Sequence, residues 1–290
     1  MDNRKEQVKQ LKEKICEVVT DLETQFVGIA FSGGVDSTLL AKICQEVGKD
    51  VKLLTIGFSS QKDILLSKSV SKALILPIFH DIIHMEDLSG GLKIVLSVID
   101  FDRFVRLENC ICFYYVFRLA SKLGIHTILS ANGMDELFCG YYMYKEAFGD
   151  KRKMRNLMKK QVKIAKHDKK EIAKLSELFG IEYVCPFLSE KFVDFAMKIP
   201  LEFKIKSEND AVRKHILREV AFKVGVPQSV ASRPKKAFQY SSGLHRALFK
   251  LARKEGFNRK DAKIAGFNSE MEAYLETLNK KSYSLDTPRI

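Results

Sequence analysis

No stretch of this chain approaches the ~20 consecutive apolar residues of a membrane-spanning helix, so no such helix is expected. The opening Met-Asp-Asn-Arg-Lys-Glu-Gln is polar and helix-like, so no secretory signal is visible. Cysteine is sparse: there are six, at positions 16, 44, 110, 112, 139 and 185, and none form a Cys-x-x-Cys pair. They read as reduced, mostly buried thiols and the chain as cytoplasmic. Cys110 and Cys112 sit in the apolar run Ile111-Cys-Phe-Tyr-Tyr-Val-Phe117, where packing accounts for them. No internal repeat or low-complexity segment stands out, and acids are in deficit.

That deficit leaves a net charge of +13 on 290 residues. A length of this order can bury a sizeable core. The 46% hydrophobic and 29% charged content fit an ordinary globular protein. A basic balance suits a polyanionic ligand or RNA. The charge is uneven: residues 151–170 hold ten Lys or Arg, and the tail after Lys250 is again basic. A charge run of this kind is most often the solvated face of a helix.

Periodicity orders the first half as alternating strands and helices. Val8, Leu11, Ile15, Val18, Val19 and Leu22 have helical spacing within 5–24. Strands are expected at 26–31, 51–56, 78–82 and 124–130, with helices at 36–48, 63–76, 89–98 and 107–122. From 171 onward the pattern is helical, broken at Pro186, Pro200, Pro227 and Pro234. Alternation implies an α/β fold with a parallel sheet and right-handed crossovers. The expected organisation is one α/β domain over 1–250, C-terminal helices packed on it, and a basic extension over 251–290.

The chemistry concentrates at strand ends, where open parallel sheets bind ligands. The first end reads Val27-Gly-Ile-Ala-Phe-Ser-Gly-Gly-Val-Asp36-Ser-Thr38. Strand, glycine turn and helix aim free N–H groups and a helix dipole at an anion. Gly33 and Gly34 let backbone approach phosphate oxygens. Ser32, Ser37 and Thr38 add hydroxyls, and Asp36 can hold Mg²⁺. No lysine completes a Gly-Lys-Ser/Thr ending, so the P-loop of kinases and GTPases does not match. The run instead resembles the Ser-Gly-Gly-x-Asp-Ser pyrophosphate loop of enzymes that split ATP into AMP and pyrophosphate. The second strand end, 57–63, is expected to receive adenine and ribose, with the Gly57 backbone near the base. The third, Ser130-Ala-Asn-Gly133-Met-Asp135-Glu136, sets two adjacent carboxylates at a strand end. Asp135 is a natural second Mg²⁺ ligand, although such a pair also suits a helix N-terminus on dipole grounds alone.

This third segment, continuing Leu-Phe-Cys-Gly-Tyr141, resembles the Ser-Gly-x-Gly-x-Asp-Glu-x-Phe-Gly-Gly-Tyr motif of the asparagine synthetase family. Val184-Cys-Pro-Phe-Leu188, Lys214-His-Ile-Leu-Arg-Glu219 and Arg233-Pro-Lys235-Lys-Ala-Phe238 resemble further family segments, in family order across roughly 25–250. The resemblance implies a ligase that adenylates a carboxylate (aspartate or another small acid) with ATP and Mg²⁺, releases pyrophosphate and lets ammonia displace AMP. It implies that Lys235 neutralises the transferring phosphate, while Lys236 is incidental. It also implies an acid that deprotonates ammonium, for which Asp100, Asp102 and Glu108 are the candidates.

The departures shape the expectation. Family enzymes carry an N-terminal glutaminase whose catalytic cysteine follows the initiator methionine; here Asp2 does. Ammonia is therefore expected free or from a separate glutaminase subunit. Ala131 and Asn132 replace the usual glycine and glutamate of the third loop, which leaves the acceptor open. The alternative is a tRNA-modifying enzyme that adenylates a base with the same loop. The basic balance favours it, whereas the lack of paired catalytic cysteines counts against its thiolating form.

Overall fold

The computed structural model describes residues 2–58, 64–234 and 238–285. In chain order the elements are α1 (Asp2–Thr20), β1 (Phe26–Ala30), α2 (Val35–Glu46), β2 (Asp50–Gly57), α3 (Leu65–Leu74) and β3 (Ile78–Ile82). Then come α4 (Met85–Val98), α5 (Phe104–Lys122), β4 (Thr127–Leu129), α6 (Met134–Leu137), α7 (Met143–Glu146) and α8 (Lys151–Glu177). The remainder is β5 (Glu182–Val184), α9 (Glu190–Lys198), α10 (His215–Lys223), α11 (Gln228–Ala231), α12 (Phe238–Ser241), α13 (Leu244–Lys254), α14 (Arg259–Ile264) and α15 (Glu270–Leu285). Among the described residues no helix is long and apolar enough to cross a membrane.

The strands form one sheet in the order β3-β2-β1-β4-β5, and every neighbouring pair is parallel. Side chains alternate across it, as the two-residue period of a strand requires. Val27 and Ile29 of β1, Val51 and Leu53 of β2 and Leu129 of β4 enter a core with α1, α2, α9, α10 and α11. Ala30, Leu54, Ile56 and Ile128 face the opposite core, built on α4, α5, α13 and α15. A sheet buried on both faces explains why its strands read as near-continuous apolar runs. Helices on both faces make this the α/β architecture expected. The chain runs outward from β1 to β2 and β3, then crosses back to β4 and β5 on the other side of β1, so the order reverses between β1 and β4. Ligand crevices open outside the carboxyl ends at such a reversal.

Three readings are corrected. The stretch taken as wholly helical after 171 contains β5, paired parallel to β4 through Thr127↔Glu182, Ile128↔Tyr183 and Leu129↔Val184. Three residues carry too little periodicity to be seen as a strand. The loop at 131–136 turns helical at Met134. The boundary expected at 250 falls inside α13. Leu251 and Ala252 pack with Met271, Tyr274 and Leu275 of α15 in the same core as α4 and α5, because apolar positions recur beneath the basic surface of this tail. The basic run 151–170 lies on α8, whose Met154, Met158, Val162 and Ala165 are buried while Lys151, Arg152, Lys159 and Lys163 are exposed.

A buried lysine, Lys204, packs against Phe138 and α9. Lys204 is fully buried, its Nζ donates to the Ala196 carbonyl at 2.7 Å, and it lies 5.5 Å from the Phe138 ring centre. Burial pushes its pKa down from the ordinary 10.5 to about 7. Between those values the unfolded chain binds a proton that the folded chain lacks, so stability rises with pH across that window. Urea titrations from about pH 7.5 to 9.5 should therefore show wild type gaining on Lys204→Met by up to ~1.4 kcal/mol per pH unit. Parallel curves for the two proteins would remove Lys204 as their cause.

Candidate active site

The turn after β1 is wound around two hydroxyls. Gly33 takes φ +70°, and a Cβ there would press on the Ser67 backbone at 3.2 Å, so glycine is required. Gly34 donates its N–H to Ser32 Oγ at 3.3 Å and serves as the N-cap of α2. Ser32 and Ser37 hydroxyls lie 3.2 Å apart, and Ser37 Oγ donates to the Gly34 carbonyl at 3.3 Å. No side chain caps α2, so its first N–H groups and dipole are left to serve an anion.

The segment after β4 is held by its own glutamate. Gly133 adopts φ +106°, and an added Cβ would stand 2.7 Å from the Phe187 carbonyl oxygen. Glu136 is buried; it accepts from the Gly133 N–H at 3.1 Å and the Tyr141 hydroxyl at 2.6 Å, while Tyr144 donates to its carbonyl at 2.7 Å. Glu136 thus anchors the turn, and its neighbour Asp135 faces the crevice.

Lys214 brings the two strand ends together. Only 1% exposed, it places Nζ 2.5 Å from Asp36 Oδ2 and 2.6 Å from Asp135 Oδ1. Burial opposes the charged ammonium, but the two carboxylates outweigh it and raise the Lys214 pKa above the ordinary lysine value. Such placement demands an unusual backbone: Arg213 and Lys214 both have left-handed φ, +52° and +55°, a strain of about 1–3 kcal/mol each. Asp210 supports it by accepting from the Lys206, Val212 and Arg213 N–H groups and pairing with His215 at 2.7 Å. Although burial opposes ionisation, these donors hold the Asp210 carboxyl far below the usual range. Arg218 donates to the carbonyls of Val212, Arg213, Ala231 and Arg233, tying the lysine's turn to the segment before Lys235.

The crevice is lined by Ser32, Gly34, Asp36 and Ser37 from the first loop, and Ser130, Asn132 and Asp135 from the third. Val105, Asn109 and Phe113 of α5 form one wall, a helical i, i+4, i+8 stripe, with Arg233 and Phe238 at the rim. Asp36 Oδ1 is buried without a hydrogen-bond partner among the described residues. Two carboxylates on one cation plus that oxygen fit a Mg²⁺ ion, which is commonly held by one or two carboxylates and substrate phosphates. Among the described residues no larger group of His, Cys, Asp and Glu could hold a metal.

The predicted residues separate. Ser32, Gly34, Asp36, Ser37 and Asp135 line one crevice, with Gly33 and Gly133 shaping the loops on either side. Gly57 ends β2, its carbonyl taken by the Ile83 N–H at 2.7 Å; it is not among the lining residues. The Asp100 side chain is 96% exposed beside Lys174, and Asp102 pairs with Arg103 and Arg106 outside the crevice. Glu108 is 1% exposed next to the α5 wall, 2.6 Å from His245 Nδ1. Burial raises its pKa, partly offset by His245. Lys235 and Lys236 lie outside the described residues.

An asparagine synthase family model matches residues 22–180 and 164–283. The chain belongs to the asparagine synthase family. A Methanocaldococcus jannaschii protein provisionally named asparagine synthetase 1 (glutamine-hydrolyzing) is 30% identical over 282 residues, covering 86% of this chain and 51% of that protein. Asparagine synthetase B (glutamine-hydrolyzing) of Escherichia coli is 27% identical over 233 residues, covering 75% of this chain and 41% of that protein. The chain thus spans about half the length, or less, of these curated relatives. The NMN synthetase structure from Francisella tularensis is similar with a TM-score of 0.44 at 12% identity, covering 99% of this chain and 97% of that one.

Within this family setting, sequence reasoning singled out the Lys214–Glu219 segment but gave Lys214 and Arg218 no task. A lysine at the N-cap of α10 and an arginine one turn into that helix were the available signal. Gly140 carries a testable consequence, since a Cβ there would overlap the Asp135 carboxylate and stand 2.5 Å from Lys214 Cε. Gly140→Ala is expected to cost about 1–3 kcal/mol in urea unfolding. Gly90→Ala, on α4 with nothing within 4 Å, should be neutral or stabilising by up to ~1 kcal/mol.

Proposed function

We propose that this chain is an ATP-dependent ligase that adenylates a small carboxylic acid, releases pyrophosphate and transfers ammonia to the acyl group. The observation that carries this reading is the meeting of Asp36 and Asp135, from two strand ends, on one buried ammonium beside the glycine loop. In the reaction an acceptor carboxylate oxygen bonds to the α-phosphorus of ATP as the bond to the β-phosphate oxygen breaks. Ammonia then adds to the acyl carbon, loses a proton, and AMP leaves with its oxygen.

Each step has residues suited to it. The leaving pyrophosphate fits the N–H groups of the Gly33–Gly34 turn and the hydroxyls of Ser32 and Ser37. Mg²⁺ held by Asp36 and Asp135 would offset the charge on the phosphates. Lys235, by its place in the Arg233–Phe238 segment, takes the charge that develops at the α-phosphate. Of the three acids, Glu108 alone is buried next to a crevice wall, with its Oε2 lacking a hydrogen-bond partner among the described residues, and it takes the base's part. The acceptor meets Asn109, Ser130 and Asn132, neutral polar groups that suit aspartate or another small acid. Ammonia arrives from solution or from a glutaminase.

The test is a pyrophosphate-release screen over small carboxylic acids with ammonium and Mg²⁺-ATP. An acceptor-dependent signal with stoichiometric AMP is expected, whereas ADP and phosphate as products would overturn the reading. With that acceptor, Asp36→Asn and Lys235→Ala should each lower kcat by about a hundredfold or more. Lys235→Ala should leave ATP affinity nearly intact, because its contact strengthens as charge develops. Equal losses in Lys235→Ala and Lys236→Ala would point to a diffuse basic patch instead.

A further inference from the structure

We propose that Lys214 is a resident cation that holds the metal-binding carboxylates until nucleotide arrives, so that a divalent ion enters this crevice only together with the triphosphate. The inference rests on the nucleotide reading above but concerns the order of binding. Nζ lies 2.5 Å from one Asp36 oxygen and 2.6 Å from one Asp135 oxygen. Mg²⁺ bridging those oxygens at about 2.0–2.1 Å would claim the same space. With the ammonium in place one of the two carboxylate charges is offset, and a doubly charged ion beside Nζ meets direct repulsion at low effective dielectric.

The lysine has little room to yield on its own. It is 1% exposed, its stem packs against Gly140, and its backbone is fixed by Asp210 and Arg218. A buried ammonium leaves its partners only for others of equal charge. Ser32, Gly34 and Ser37 line the same crevice as Lys214, so a triphosphate bound there brings new anionic acceptors within its reach. Nζ then passes to phosphate, and the vacated carboxylate oxygens, with the orphaned Asp36 Oδ1, become available to the metal. Nucleotide and metal binding are thereby coupled, and the coupling resides in one side chain.

Mn²⁺ titration followed by electron paramagnetic resonance tests this, using α,β-methylene-ATP as nucleotide and correcting for metal bound by nucleotide in solution. Wild type should take up Mn²⁺ weakly alone and at least about tenfold more tightly with the analogue. Lys214→Met should bind Mn²⁺ without nucleotide about tenfold or more tightly than wild type, and adding Asp135→Asn should abolish that gain. Wild type binding Mn²⁺ equally well with and without the analogue would overturn the proposal, as would a folded Lys214→Met without the gain. If Lys214→Met does not fold, the ¹⁵Nζ resonance of wild-type Lys214, assigned through Lys214→Arg, decides. It should stay in place with Mg²⁺ alone and move when Mg²⁺ and analogue are added together; movement with Mg²⁺ alone contradicts the proposal. Failure of the analogue to bind would defeat the nucleotide reading, while the metal-only comparison still decides the role of Lys214.

Discussion

The contact on which this crevice depends is the buried ammonium of Lys214 between Asp36 and Asp135. Without the two carboxylates that ammonium, 1% exposed, would be an uncompensated buried charge, a loss of about 3–5 kcal/mol when a partner is removed. Much nearby structure serves that contact. Two left-handed residues aim the lysine, Asp210 gathers the N–H groups of that turn, and Arg218 caps its carbonyls. Gly140 leaves the space in which the lysine stem and the Asp135 carboxylate meet, and its carbonyl accepts from Arg213 Nε at 3.2 Å.

Topology explains why these residues can meet at all. Asp36 follows β1 and Asp135 follows β4, adjacent strands separated by about a hundred residues of chain. Only at the reversal between them do two strand-end loops diverge and leave a crevice. The α5 helix crosses behind the sheet and returns the chain to β4, so its Val105, Asn109 and Phe113 stripe forms a wall of the same crevice. A single crossover thus supplies both a carboxylate and a wall.

Much of this was legible in the chain itself. Alternating apolar runs and amphipathic segments located β1, β2, β3 and their helices, since strands buried on both faces must be apolar throughout. The glycine turn and Asp36 were readable because backbone approach to an anion needs those residue types locally. What stayed hidden was non-local. β5 has three residues and gains its identity from pairing with β4. Asp100, Asp102 and Glu108 were indistinguishable as nearby acids; only packing shows that two are solvated and one is buried against His245. The place of Lys214 depends on a turn whose shape arises from Asp210 and Arg218, and no local spacing encodes where its ammonium lands.

The claim that joins these parts is that the pyrophosphate of a nucleotide lies in the β1–α2 turn with a divalent ion at Asp36 and Asp135. A crystal structure with α,β-methylene-ATP and Mn²⁺ tests it most directly, because anomalous scattering locates the metal without reference to any assumed chemistry. The account predicts one Mn²⁺ peak contacting both carboxylates, β- and γ-phosphates on the Ser32–Ser37 turn, and Lys214 Nζ moved to a phosphate oxygen. Phosphates bound away from that turn, or a metal touching neither aspartate, would contradict it.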